Sequence, residues 1–161
     1  MKRALIVSDT HGREENLERV LAEIGMPDAL IHLGDSEGGE DTIPMLVTCP
    51  VYMVAGNCDF FSRLAKAQIV ELGGHRILIT HGHYHYVTVG IRDLAEEAKA
   101  NGCDIAMFGH THRPLLDESD PELTVLNPGS LSFPRQEGRR PSYALMEYEE
   151  SGEARFEIRY L

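Results

Sequence analysis

Short apolar runs separated by polar loops recur along the chain, and their spacing predicts alternating strands and helices in the first half. Ala4–Val7, Ala29–Leu33, Val51–Ala55 and Ile105–Phe108 read as buried strands, each too short to be a helix. Between the first two, Leu17, Val20, Leu21 and Ile24 recur at helical spacing, and Gly25 followed by Pro27 predicts the helix end. A second helix is predicted over Ile91–Ala100, closed by Asn101-Gly102. Gln68–Leu72 and Arg76–Thr80 flank Gly73-Gly74, a hairpin signal. From Leu115 onward the pattern is of strands alone: Leu115-Leu116, Thr124–Leu126, Tyr143–Tyr148 and Ala154–Tyr160, the last two joined by a turn at Glu150-Ser151-Gly152. Strand–helix alternation followed by strand pairs predicts a mixed α/β fold, two packed sheets with helices outside. No repeat or linker-like segment interrupts the 161 residues, so one domain over residues 1–161 is expected.

The polar residues that follow these strands change the picture. Ser8-Asp9-Thr10-His11 follows the first, Gly34-Asp35 the second and Gly56-Asn57-Cys58-Asp59 the third. His81-Gly82-His83 follows Ile77–Thr80, and Gly109-His110-Thr111-His112 follows Phe108. In an open α/β sheet, ligands bind at the carboxyl ends of the strands, so neighbouring strands would bring these groups to one place. Asp, His and Asn oxygens and nitrogens together suit divalent ions such as Mn²⁺, Fe²⁺, Ni²⁺ or Zn²⁺. Seven donors (Asp9, His11, Asp35, Asn57, His81, His110 and His112) exceed the needs of one ion and fit two, if one carboxylate bridges. An extended backbone at Asp9-x-His11 and at His110-x-His112 would aim both side chains of each pair the same way.

Charge sharpens this reading. With 15 basic and 26 acidic side chains, the net charge of −11 lacks the footprint of a nucleic-acid or anionic-membrane binder. An anionic substrate would therefore need a local positive centre, which two divalent ions supply even after two carboxylates and a hydroxide are counted against them. Three widely spaced cysteines, Cys49, Cys58 and Cys103, read as free thiols of a cytoplasmic protein. The apolar run after Met1-Lys2-Arg3 is too short for a signal peptide or a membrane span.

The ordered set Asp-x-His, Gly-Asp, Gly-Asn-x-Asp, His and Gly-His-x-His resembles the calcineurin-like metallophosphoesterase superfamily, and within it the small YfcE-type phosphodiesterases. The resemblance runs from Val7-Ser8-Asp9-Thr10-His11-Gly12 through Asn127-Pro128-Gly129-Ser130. It implies a four-layer α-β-β-α sandwich and a dinuclear centre, with Asp9, His11, Asp35 and His112 on one metal. Asp35, Asn57, His81 and His110 would hold the other, with Asp35 bridging. It further implies hydrolysis of a small phosphate ester by a hydroxide held between two ions, Mn²⁺ being the expected metal, and it allows a homo-oligomer. Asp35, Asn57, Cys58 and Asp59 form the expected catalytic set. Many members of the superfamily carry His at the position of Cys58, where it serves the leaving group or binds phosphate. A thiol is a poor substitute for imidazolium, which favours diesters over monoesters.

The alternatives are a phosphomonoesterase or nucleotide phosphatase with the same metals, a nuclease, and a metal-free scaffold like the retromer subunit of this fold. The filled set of seven donors disfavours the scaffold. Outside the set, His32 is expected to be a hydrogen-bonded buried histidine and His75 a solvated turn residue. His83, and less so His85, are candidates to line the substrate pocket. Arg113 and Arg135 are expected on the surface, with phosphate contact as the minority alternative, and Asn127–Ser130 as a supporting turn. Cys49 and Cys103 are expected as small core residues, and Glu147–Glu153 as a solvated hairpin.

Overall fold

The computed structural model describes all 161 residues. Strand β1 (Lys2–Val7) leads into helix α1 (Glu15–Ile24), then β2 (Ala29–His32), a single helical turn α2 (Gly39–Thr42) and β3 (Val51–Met53). The hairpin β4 (Ala67–Leu72) and β5 (His75–Thr80) follows, then α3 (Arg92–Ala100), β6 (Ile105–Met107), β7 (Pro114–Asp120) and β8 (Leu123–Pro128). The chain ends with β9 (Ser142–Tyr148) and β10 (Ala154–Tyr160). The strands form two sheets of five, in the orders β10-β9-β1-β2-β3 and β4-β5-β6-β8-β7.

Three buried clusters define four layers, as the sequence led us to expect. Residues alternate between the two faces of a strand. Ala4 and Ile6 of β1 therefore meet Ile77, Ile79, Ile105 and Met107 between the sheets. Leu5 and Val7 face outward onto Leu17 and Val20 of α1. On the far side, Leu78 and Ala106 of the second sheet pack on Leu94 and Ala98 of α3. Full burial of side chains such as Leu17 and Val20 contributes about 1.5–3 kcal/mol each, which is what fixes α1 to its sheet. Gly25, at φ 78°, donates its N–H to Leu21 O and ends that helix where the sequence placed its stop. Gly73 and Gly74 both take positive φ, as a two-residue hairpin turn requires.

The pairing directions decide where function can sit. β1, β2 and β3 are parallel, as are β5, β6 and β8. Their carboxyl ends, from Val7, His32, Met53, Thr80, Met107 and Pro128, emerge along one rim of the sandwich. The antiparallel strands β9 and β10, and β4 and β7, complete the sheets. The α2 turn and the 3-10 turn Ile43–Leu46 were not anticipated, because the stretch is rich in Gly, Pro and acidic residues and Ile43 is its one buried apolar side chain. His75 departs from expectation too. It is the first residue of β5 and half-buried, with Nδ1 2.6 Å from Asp104 Oδ2 and Nε2 2.9 Å from Gly152 O. Both ring nitrogens have protein partners, so it is not a solvated turn residue.

Candidate metal centre

The seven donor side chains converge at this rim. Asp9 Oδ1 lies 3.2 Å from His112 Nε2, 3.7 Å from His11 Nε2 and 3.8 Å from His81 Nε2. Asp35 Oδ2 lies 3.3 Å from His81 Nε2 and 3.8 Å from His11 Nε2. His110 Nδ1 is 3.1 Å from Asn57 Oδ1 and 3.3 Å from His81 Nε2. Three donor groupings could hold an ion: Asp9–His11–His112, Asp9–Asp35–His81 with Asn57 and His110 alongside, and the more exposed His11–Glu37–Cys58. Both carboxylates reach a histidine of each half.

The fit to a cation shows in one atom. Asp9 is fully buried, and its Oδ1 has no hydrogen-bond partner although its neighbours are imidazole nitrogens. A buried carboxylate oxygen without a donor is costly unless a cation completes it. The histidines are set up accordingly. Nδ1–H donates to Leu33 O at 2.7 Å in His81 and to Phe133 O at 2.7 Å in His112. His11 Nδ1 sits 2.7 Å from Glu37 Oε1. These outer bonds fix the ring orientation and turn each Nε2 toward the carboxylates. His110 is the exception, presenting Nδ1 to Asn57 and His81. The donor set of carboxylate, imidazole and amide oxygen is one that divalent metals accept.

The electrostatics are those of clustered acids and bases. Burial pushes the Asp9 carboxyl up, but the imidazoles of His11, His112 and His81 close beside it outweigh burial and hold the group far below the usual range. The His11 imidazole is raised to about 9, chiefly by Asp9 and against burial, with Glu37 adding to it. Burial would lower His81, yet Asp35 and Asp9 raise it. Burial, then the charge of His81, lowers His110. The Cys58 thiol is pushed up to about 11 by burial and then by the Asp35 charge, so it is protonated at neutral pH.

The backbone corrects one expectation. Asp9, His11, Asp35, His110 and His112 all adopt positive φ, between 48° and 69°, so neither x-spaced pair is extended. Left-handed residues turn the chain sharply after β1, β2 and β6, which is how Asp9 and His11 both face the centre. Close approach of the loops requires small residues between them. A Cβ on Gly56 would collide with Asp35, and one on Gly109 with Ser8 and Asp9. Ser8 Oγ also donates to Asp9 Oδ2 at 2.5 Å, fixing the carboxylate.

Asp59, named in the expected catalytic set, is engaged by backbone amides. Its Oδ2 accepts the N–H groups of Asp35 at 2.8 Å and Gly56 at 2.7 Å, and its Oδ1 that of Glu37 at 2.7 Å. It is a positioning residue for Asp35. Asn127, near the end of β8, and Ser130, just beyond it, are fully buried; Asn127 Nδ2 donates to Gly109 O and Ser130 Oγ to Asp9 O. His32 is buried as expected, with Nε2 2.9 Å from Thr10 Oγ1 and Nδ1 accepting from Gly34 N–H. His83 packs edge-on against His81 and, with Asn57, Phe60, Lys66 and Tyr84, borders a cavity of about 340 Å³. Sequence reasoning missed Ser8, Glu37 and Phe133. Ser8 and Glu37 sit one and two residues from Asp9 and Asp35, which was the available signal; Phe133 had none.

An α-β-β-α sandwich with an Asp/His/Asn cluster of this kind at one rim defines a class of metal-binding phosphoesterase folds. The chain belongs to the calcineurin-like phosphoesterase superfamily, whose domain model matches residues 1–151. It is 37% identical over 149 residues to the probable metallophosphoesterase YsnB of Bacillus subtilis, covering 90% of this chain and 83% of that one. A segment of 60 residues, 37% of this chain and 32% of the relative, is 35% identical to the phosphodiesterase MJ0936 of Methanocaldococcus jannaschii. Among solved structures, a predicted phosphoesterase from Streptococcus pneumoniae superposes with a TM-score of 0.79 at 27% identity, covering 98% of both chains. Zinc-complexed Vps29 from Entamoeba histolytica shares the fold with a TM-score of 0.78 at 22% identity, covering 98% of both chains. No helix is long and apolar enough to cross a membrane.

Proposed function

We propose that this chain is a dinuclear metal-dependent phosphodiesterase acting on a small, accessible phosphate diester. The observation that carries the reading is the buried, partnerless Asp9 Oδ1 among three imidazole nitrogens. Asp9, His11, Asp35 and His112 would hold one ion and Asp35, Asn57, His81 and His110 the other, with Mn²⁺ the favoured metal and Ni²⁺, Fe²⁺ or Zn²⁺ also suited to the donors. Bound there, two divalent ions would activate water as a nucleophile and neutralise charge on the phosphoryl oxygens.

The protein's own residues orient that chemistry. Ser8 and the His110 N–H hold Asp9 Oδ2, which leaves Oδ1 for the cation. The Cys58 N–H holds Asp35 Oδ1, and Asp59 holds the Asp35 backbone. Cys58 itself is a protonated thiol with a raised pKa of about 11, far from the value that suits proton donation near neutral pH. Diesters with good leaving groups need no such donor, and the name of the relative MJ0936 points the same way. Three free cysteines suit a cytoplasmic location.

The test is metal analysis of the purified protein, followed by turnover of bis-p-nitrophenyl phosphate and p-nitrophenyl phosphate with added Mn²⁺. The diester should be preferred, and His112→Ala should lose most activity. Preference for the monoester would favour the phosphatase reading. A protein that retains no metal and hydrolyses neither would favour the scaffold reading.

A further inference from the structure

Three cavities beside the donor loops differ in charge, and a fourth, lined by Thr111, Arg113 and Arg135, shares Arg135 with the third of them. The one bordered by Glu37, Glu40, Asp41 and Asp59 is acidic and repels anions. The one beside Asn57 contains Lys66, whose Nζ donates to Tyr84 Oη at 3.0 Å and stands 4.8 Å from that ring's centre. Its cation is engaged. The third, of about 380 Å³, is lined by His11, His112, Phe133, Pro134, Arg135 and Arg139 and has no acidic wall. Arg76, Arg92 and Arg159 are the arginines in ion pairs, so Arg135 and Arg139 face solvent unpaired in a chain of net charge −11.

This third cavity is built onto the candidate metal site. Arg135 N–H donates to His112 O at 2.9 Å, while His112 Nδ1 donates to Phe133 O at 2.7 Å. The loop carrying Arg135 is thus tied to a donor residue by both backbone and side chain. The Phe133 ring meets His11 edge-on at 5.4 Å and carries the Arg13 guanidinium 5.0 Å from its centre. Arg139 is held at φ 44° in a turn closed by its N–H to Gln136 O and by Gln136 Nε2 to Arg140 O. A bulky residue at positive φ is uncommon, and here it sits in the cavity wall.

The geometry points to a second anion subsite: Arg135 and Arg139 bind a phosphate monoester carried on one arm of the substrate while the scissile diester occupies the metal centre. This rests on the phosphodiesterase reading and narrows its substrate class to diesters with a second, terminal phosphate. Planar guanidinium forks suit that group better than ammonium does.

The experiment uses the p-nitrophenyl phosphodiester of thymidine, with and without a phosphate on the sugar's other hydroxyl, and the Mn²⁺-loaded full chain. The additional phosphate should raise kcat/KM about tenfold, a typical gain for a charge-assisted contact at a solvent-facing site. R135Q/R139Q should remove that gain and leave bis-p-nitrophenyl phosphate turnover within about twofold of wild type, the size expected where no bond to the smaller substrate is lost. R135K/R139K should restore part of it, and unfolding by urea should confirm that all variants fold. Binding of the two thymidine products, with one and two phosphates, is measured by calorimetry and should show the same contrast without turnover. Equal kcat/KM for the two esters, a gain that survives R135Q/R139Q, or a gain abolished by K66Q instead would each overturn the subsite. Absent turnover of every ester would sink the phosphodiesterase reading alone, since the calorimetric contrast still reads the subsite.

Discussion

Replacing Asp59 tests whether the centre depends on its backbone scaffold as much as on its donors. Asp59 accepts three backbone N–H groups, two of them partly buried, and one belongs to Asp35. A hydrogen bond to a charged acceptor is worth about 1.5–3 kcal/mol, and an N–H left unsatisfied in a buried setting costs a similar amount. Counting the two partly buried donors near the lower bound and neglecting the exposed Glu37 N–H, Asp59→Ala should destabilise the metal-free protein by about 3 kcal/mol. Asp59→Asn keeps one acceptor oxygen, which can serve Asp35 and Gly56 together, and should cost about 1 kcal/mol.

The stability assay is urea unfolding without metal, read as a shift in midpoint at constant slope. Calorimetric Mn²⁺ titration is the second readout. Loss of the Asp35 tether should weaken metal binding about tenfold or more in Asp59→Ala, within the range for lost outer partners of metal ligands. If Asp59→Ala unfolds within about 0.5 kcal/mol of wild type, the size of an ordinary surface substitution, and binds Mn²⁺ equally well, the bracing role is wrong.

Gly109→Ala should lose metal binding and stability together, because its methyl would collide with Ser8 and Asp9; an unchanged melting temperature would contradict the packing described. His32, lowered to about 4 by burial, has a folded pKa below its ordinary 6.5. Its stabilising share is therefore full above pH 6.5 and is lost as pH falls toward about 4, where unfolded chains take up the proton first, so His32→Gln should show a flatter acid limb in urea unfolding. His11, raised to about 9, is protonated at neutral pH without metal, so Mn²⁺ binding should release protons and tighten as pH rises toward 9; titration in buffers of different ionisation enthalpy measures this. Cys58→His should raise monoester turnover relative to diester, and an unchanged ratio would remove this position from substrate choice.

Much of this was legible because strand ends are hard to disguise. Val7, His32, Met53, Thr80 and Met107 each close an apolar run, and the polar residues that follow had one rim to occupy once the strands proved parallel. Backbone handedness was not legible. Asp and His enter the positive-φ region more often than most residues, but nothing in Asp9-Thr10-His11 shows that these two do so. The amide partners of Asp59 were not legible for a related reason. A carboxylate two residues after a donor looks like chemistry, and only the turn at Gly56 shows its oxygens taken up by amides. His75 looked solvated because it follows Gly73-Gly74, but its neighbours Asp104 and Gly152 are remote in sequence. Local pattern carries no information about such partners.

Five donors in the left-handed region cost on the order of 1 kcal/mol or more each, a sum comparable to the stability of a whole domain. Such geometry persists only where neighbours over-determine it. Here the loops determine one another. Asp9 N–H donates to Gly34 O, His11 N–H to Asp35 O, and Gly109 N–H to His81 O. Ser130 reaches from the end of β8 to Asp9, which follows β1, so a bond crosses from one sheet to the other. The seven donors are therefore held by the packing of the two sheets and not by the flexibility of separate loops. A substitution that lets the sheets slide, even one remote from every donor, should separate the Asp9 and His81 groups before it unfolds the protein.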